Sequence, residues 1–256
     1  LVKAMLIVDR GSREPEVKQE LEEICSTIGR TCPGKYGYTT YCFLEVLPPY
    51  IEDGISKCIA NGADFITIIP YFLYPGMKLK DSVKKAASIS MRKDVRVAIA
   101  KPFSRNMRMI EVVVNRVHEA KRENALHLSD LECDLLLIGH GSSDRRAREA
   151  FDYVVAMLNP HFRTVRYCFL ELDKPDIMEG IRNSLASSPK CLLIVPYFLH
   201  KGVHIKYDII REINTSIVGQ NPTNMYLTGH LGADCQLANI VLERAIEVER
   251  GIFYQT

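Results

Sequence analysis

One register of internal repetition constrains this chain more than any other feature. Residues 41–45 read YCFLE and residues 167–171 read YCFLE again; residues 70–73 read PYFL and residues 196–199 repeat it, each pair 126 positions apart. At the same offset Gly54-Ile55 matches Gly180-Ile181, and Gly76 matches Gly202. Nine identities in two blocks at one register mark a duplicated unit. The 256 residues therefore divide into two related halves, 1–124 and 132–256, joined near 120–132. The amino-terminal blocks, IVDRGSR at 7–13 and IGHGSSD at 138–144, align at an offset nearer 130, which requires a four-residue length difference between the first helices.

Within each half, short apolar runs alternate with segments of helical period. In the second half DLLLIG (134–139), VRYCFL (165–170), CLLIVPYF (191–198) and 224–228 read as strands. Helices are expected over 147–158, 175–187, 206–217 and about 233–248. Strands that are apolar throughout, with helices between them, predict an α/β fold in which each half is a parallel sheet covered on both faces. Lys and Arg number 33 against 31 Asp and Glu, a net charge of +2, which argues against a nucleic-acid-binding surface. No apolar run approaches the roughly 20 residues of a membrane helix. The chain begins at Leu1, as a trimmed or partial sequence would. Its eight cysteines form no CxxC pair and sit mostly in apolar runs. They are expected to be reduced core residues of a cytoplasmic protein.

Parallel sheets present ligand-binding residues at the carboxyl ends of their strands. In the second half the first such end carries Gly139-His140-Gly141-Ser142, the second Glu171, and the third PYFLHKGVH with His200 and His204. Two imidazoles and a carboxylate suit a divalent first-row cation. Taken singly, each residue has an ordinary reading: a hydrogen-bonded histidine, a strand-end charge, or a GHGS turn that cradles phosphate on backbone N–H groups. The first half is an internal control. It has Arg10 in place of His140, and Tyr74 and Lys78 in place of His200 and His204. Protonated Arg and Lys are not ordinary metal ligands. The first half thus keeps the pattern of the fold and has lost all three histidines together.

GHGS at the first strand end, FLE followed by Pro175, and PYFLHKGVH followed by Asp208 resemble the class II chelatases that insert cobalt or iron into sirohydrochlorin. That resemblance spans nearly the whole chain and implies two chelatase-like halves facing a central cleft that holds the tetrapyrrole. It implies a lyase acting in cobalamin or siroheme biosynthesis, with Co2+ or Fe2+ as substrate and no permanent cofactor; a nitrogen–oxygen site accepts Ni2+ as well. By it, His140 and His204 are the metal-handling, catalytic histidines and Glu171 is the acidic ligand beside them. His200 is assigned to the wall of the cleft. Many two-half members keep the histidines in the amino-terminal half, whereas this chain has DRGS and PGMK there.

The implied substrate carries eight carboxylates, so cationic and N–H donors are expected around it. Ser142, Arg145, His200 and Gly202 are assigned to substrate binding beside Arg146, Lys201 and Lys206. Arg10, Arg13 and Lys78 give the first half a carboxylate-binding wall, and Phe198, Leu199 and Val203 offer apolar contact. A monomer or homodimer that binds neither nucleic acid nor membrane is expected. The competing reading is a metal or tetrapyrrole carrier without turnover.

Overall fold

The computed structural model describes residues 2–76, 81, 84–86, 88, 95–202, 204–216 and 224–251, with side chains at all of these except 204–206 and 216. The first repeat contributes β1 (Lys3–Asp9), α1 (Pro15–Thr31), β2 (Tyr38–Phe43), α2 (Ile51–Ala60), β3 (Phe65–Pro70), β4 (Arg96–Ile99) and α3 (Arg108–Glu123). The second contributes β5 (Asp134–Gly139), α4 (Arg145–Leu158), β6 (Thr164–Phe169), α5 (Ile177–Leu185) and β7 (Leu192–Pro196). It continues with a π-helical segment (His204–Ile209) leading into α6 (Ile210–Ser216), then β8 (Met225–Leu227) and α7 (Cys235–Glu249). Among the described residues no helix is long and apolar enough to cross a membrane.

The strands form two four-stranded parallel sheets, ordered β2-β1-β3-β4 and β6-β5-β7-β8. Every residue of β5 and β7 is buried, the outcome expected of apolar runs covered by helices on both faces. In each sheet the chain leaves the first strand in one direction and returns on its other side. This reversal makes a switch point between β1 and β3, and between β5 and β7. His140 directly follows β5, and the segment carrying His200 follows β7.

Packing divides the chain into two compact units. One unit comprises residues 1–104 and 233–256, the other residues 105–232. Each repeat's last helix is exchanged: α3 packs on β7 and α4, whereas α7 packs on α1, β3 and β4. The buried stripe of α3, with Met109, Val112, Val113 and Val117, has the period of any helix covering a sheet. That period shows that a partner exists without saying which sheet supplies it. On α7 the covering residues include Leu237, Ile240, Val241 and Val248, each worth about 1.5–3 kcal/mol when fully buried.

The last turn of α7 is tied to the unit it covers. Glu249 accepts from Lys3 Nζ at 2.7 Å, Tyr36 Oη at 2.8 Å and Thr67 Oγ1 at 2.9 Å. Burial opposes the charge of this carboxylate most strongly, yet the bonds from Lys3, Tyr36 and Thr67 outweigh it and hold the pKa below the usual value. A depressed folded-state pKa stabilises the fold above the unfolded value of about 4.3, and that contribution is lost as pH falls through the folded-state value. Glu249→Gln is expected to cost about 2 kcal/mol near neutrality, a fall of roughly 4–8 °C in the unfolding midpoint. In thermal melts across pH, the gap to the unmodified protein should close below pH ~4.3.

Candidate metal site

The turn after β5 is built from backbone bonds that recur in both repeats. Leu170 N donates to Gly139 O at 2.9 Å and Glu171 N to His140 O at 3.0 Å. In the first repeat Leu44 N donates to Asp9 O at 2.9 Å and Glu45 N to Arg10 O at 3.1 Å. Glycine is required just beyond. Gly141 has φ +90° and Gly11 has φ +102°, and a Cβ on either would collide with the carbonyl oxygen of Glu171 or Glu45. This close passage of two loops brings the side chain after the first strand against the one after the second.

In the second repeat that juxtaposition places His140 Nε2 3.3 Å from Glu171 Oε1. The two side chains are 36% and 52% exposed, so the pair is open to solvent. His140 Nδ1 lies 3.4 Å from Gly141 O, and its ring stands 6.3 Å from that of Phe198. His140 Nε2 is the ring nitrogen nearer the Glu171 carboxylate, placed to share a proton or an ion with it. In the first repeat the same positions hold an ion pair, Arg10 Nε to Glu45 Oε1 at 2.9 Å. The guanidinium there supplies the positive charge beside the carboxylate. Arg10 is thus engaged by Glu45, which its assignment to substrate carboxylates did not anticipate.

Among the described residues no three His, Cys, Asp or Glu side chains form a group able to hold a metal. The described part of the site is the His140–Glu171 pair. The backbone of His204 opens the π-helical segment after β7, but its side chain, like that of Lys206, lies outside the described residues, as do Val203 and Lys78. A small cavity of about 260 Å³ adjoins Glu171, lined by Leu170, Asp176, Ile177, Asp208, Arg211 and Glu212. The Lys174 ammonium beside Asp176, together with the backbone N–H of Glu179, holds the Asp176 carboxyl below its usual pKa.

Other residues singled out by sequence take different places. Ser142 Oγ accepts from Asp144 N at 3.1 Å, as Ser12 Oγ accepts from Glu14 N at 3.1 Å, so the hydroxyl shapes the start of the following helix in both repeats. Arg145 is 90% exposed and bonded to Glu149 at 2.9 Å. Arg146 pairs with Asp144 at 2.8 Å. Leu199 is 9% exposed. Phe198 is half-buried against the core of its unit. His200 is half-buried and Lys201 exposed, while at Gly202 an added Cβ would meet only open space.

Sequence reasoning missed two residues. Asp173 accepts from Ser142 N at 3.2 Å through one oxygen and from Arg148 Nη1 at 3.4 Å through the other. Arg148 also bonds to Asp152 and to Tyr167 Oη, both at 2.9 Å, and lies over the rings of Tyr167 and Phe169 at 5.0 and 4.8 Å. The available signal was the same control that exposed His140, since the first repeat has Leu47 and Lys18 at these positions.

The two repeats thus share one parallel α/β scaffold, and among the described residues a histidine–carboxylate pair stands at the strand ends of the second. The chain belongs to the CbiX family, whose sequence profile matches residues 4–120 and 134–248. A sirohydrochlorin cobaltochelatase from Priestia megaterium is 28% identical over 251 residues, covering 96% of this chain and 80% of that protein. A sirohydrochlorin ferrochelatase from the same organism is 27% identical over 249 residues, covering 93% and 87%. Among solved structures, SirB from Bacillus subtilis with Fe3+ is similar at a TM-score of 0.83 and 24% identity over 99% of both chains. That likeness establishes the fold.

Proposed function

We propose that this chain is a sirohydrochlorin chelatase, a lyase that inserts Co2+ or Fe2+ into the free-base tetrapyrrole in cobalamin or siroheme biosynthesis. The observation that carries the reading is the contrast between the two turns. On the same backbone bonds, one repeat holds Arg10 against Glu45 and the other His140 against Glu171. Only the second pair can exchange a proton for a metal ion. Membership of a family that includes cobalto- and ferrochelatases supports the same reading.

Insertion removes two pyrrolic protons from the macrocycle and strips water from the ion. Imidazole Nε2 of His140 and the Glu171 carboxylate are the first ligands, and His204, on the segment after β7, is the third. The incoming ion displaces any proton held between His140 and Glu171. When the ion passes to the ring nitrogens, His140 takes up one pyrrolic proton with Glu171 stabilising the imidazolium, and the second goes to solvent. A site this exposed, with nitrogen and oxygen rather than thiolate ligands, releases what it binds. The same donors accept Ni2+. Eight thiols outside any disulfide fit a reducing compartment such as the cytoplasm.

The test is anaerobic insertion into sirohydrochlorin with Co2+, Fe2+ and Ni2+ in turn, at protein far below substrate concentration. Loss of the free-base spectrum over many equivalents, with two protons released per metal, is expected, and His204→Ala should slow it at least tenfold. Uptake that stops at one equivalent would identify a carrier instead.

A further inference from the structure

We propose that Asp173, held by Arg148, is a positioning residue that sets the distance between His140 and Glu171 for metal binding. This rests on the chelatase reading of that pair. In the first repeat the two loop tips are clamped by the site-position residues themselves, through the Arg10–Glu45 ion pair at 2.9 Å. The second repeat has no such option, because His140 and Glu171 must open to receive an ion.

There the clamp is set one step back. Asp173 lies two residues after Glu171, and its N–H donates to Glu171 O at 2.8 Å. Its carboxylate reaches across to the N–H of Ser142, two residues after His140, at 3.2 Å. One short side chain therefore ties the loop after β6 to the loop after β5 without consuming either ligand. Its second oxygen takes the Arg148 guanidinium at 3.4 Å. That guanidinium is itself fixed by Asp152, by Tyr167 Oη and by the Tyr167 and Phe169 rings beneath it. A planar fork stacked on two rings has little freedom, so the carboxylate it holds is pre-oriented. Leu47 and Lys18 in the first repeat cannot make this bridge. The brace and the histidine occur in the same repeat and are absent together from the other.

Partners one shell beyond metal ligands typically change metal affinity by about 10–100-fold when removed. Asp173→Leu, which installs the first repeat's residue, is expected to weaken Co2+ binding about tenfold in calorimetric titration and to alter the visible spectrum of bound Co2+. Asp173→Asn keeps an acceptor for Ser142 N–H and should lose less. Free-base tetrapyrrole binding, followed by fluorescence, and the thermal midpoint should stay near their original values. Arg148→Lys should weaken Co2+ binding in the same direction as Asp173→Leu. Unchanged Co2+ affinity and spectrum in Asp173→Leu would overturn the proposal. So would a parallel loss of Co2+ affinity, tetrapyrrole binding and thermal midpoint, which marks a merely structural contact. His140→Ala separates the two claims. If it keeps full Co2+ affinity the metal-site reading falls, and if it loses affinity while Asp173→Leu does not, the brace alone falls.

Discussion

His140→Arg is expected to abolish metal insertion while leaving the fold intact. The first repeat shows that an arginine fits this turn, since Arg10 meets Glu45 at 2.9 Å across the same backbone bonds. The variant replaces an exchangeable proton with a fixed guanidinium charge, so the carboxylate of Glu171 is neutralised and the imidazole ligand is gone. Loss of a positioned proton acceptor alone costs roughly 100- to 10,000-fold in rate. The thermal midpoint should stay constant or rise slightly, as expected of one added surface ion pair worth about 0–1 kcal/mol. The measurement is the free-base absorbance assay beside a melting curve. Insertion at an unaltered rate would remove His140 from the mechanism.

The second large effect is expected at Gly141. An alanine there must adopt φ +90° and place its Cβ onto the carbonyl oxygen of Glu171, so the two loops have to separate. Left-handed strain alone costs on the order of 1–3 kcal/mol. With the collision added, about 3 kcal/mol or more should be lost, a fall of roughly 6–12 °C in the unfolding midpoint. Because Glu171 N also donates to His140 O, separation pulls the pair apart and Co2+ binding should disappear well below the melting temperature. Gly11→Ala is the matched control, with φ +102° and the same collision against Glu45. It should cost similar stability and spare Co2+ binding. Equal loss of binding in both variants would show that the effect is global rather than local to the site.

How much of this was visible beforehand depends on what kind of contact each residue makes. The strand run 134–139 is β5 as read, because the short apolar stretch Leu135–Ile138 between helical segments has one use. His140 and Glu171 were legible because strand order and the carboxyl-end rule place them together, and the repeated YCFLE block fixed the register between halves. The helix expected over 206–217 exists but opens with π-helical geometry at His204–Ile209, which apolar spacing at this length does not distinguish from an ordinary turn. That Leu199 is 9% exposed depends on packing that neighbouring letters do not encode. The Asp173–Arg148 bridge spans 25 positions, from α4 to the loop after β6, so it becomes apparent only once β5 and β6 are side by side. The exchange of α3 and α7 was illegible for the reason that makes helices easy to find: an amphipathic stripe announces burial and withholds the address.

That exchange has a consequence for biogenesis. The sheet formed by residues 3–99 is covered in part by a helix that ends at Glu249, so a ribosome must translate through that helix before the unit holding this sheet can close. Vectorial completion, one module after another as the nascent polypeptide emerges, is unavailable to this topology. Cutting the chain near residue 128 should therefore yield two fragments, neither a finished body, that recover structure only by complementing one another.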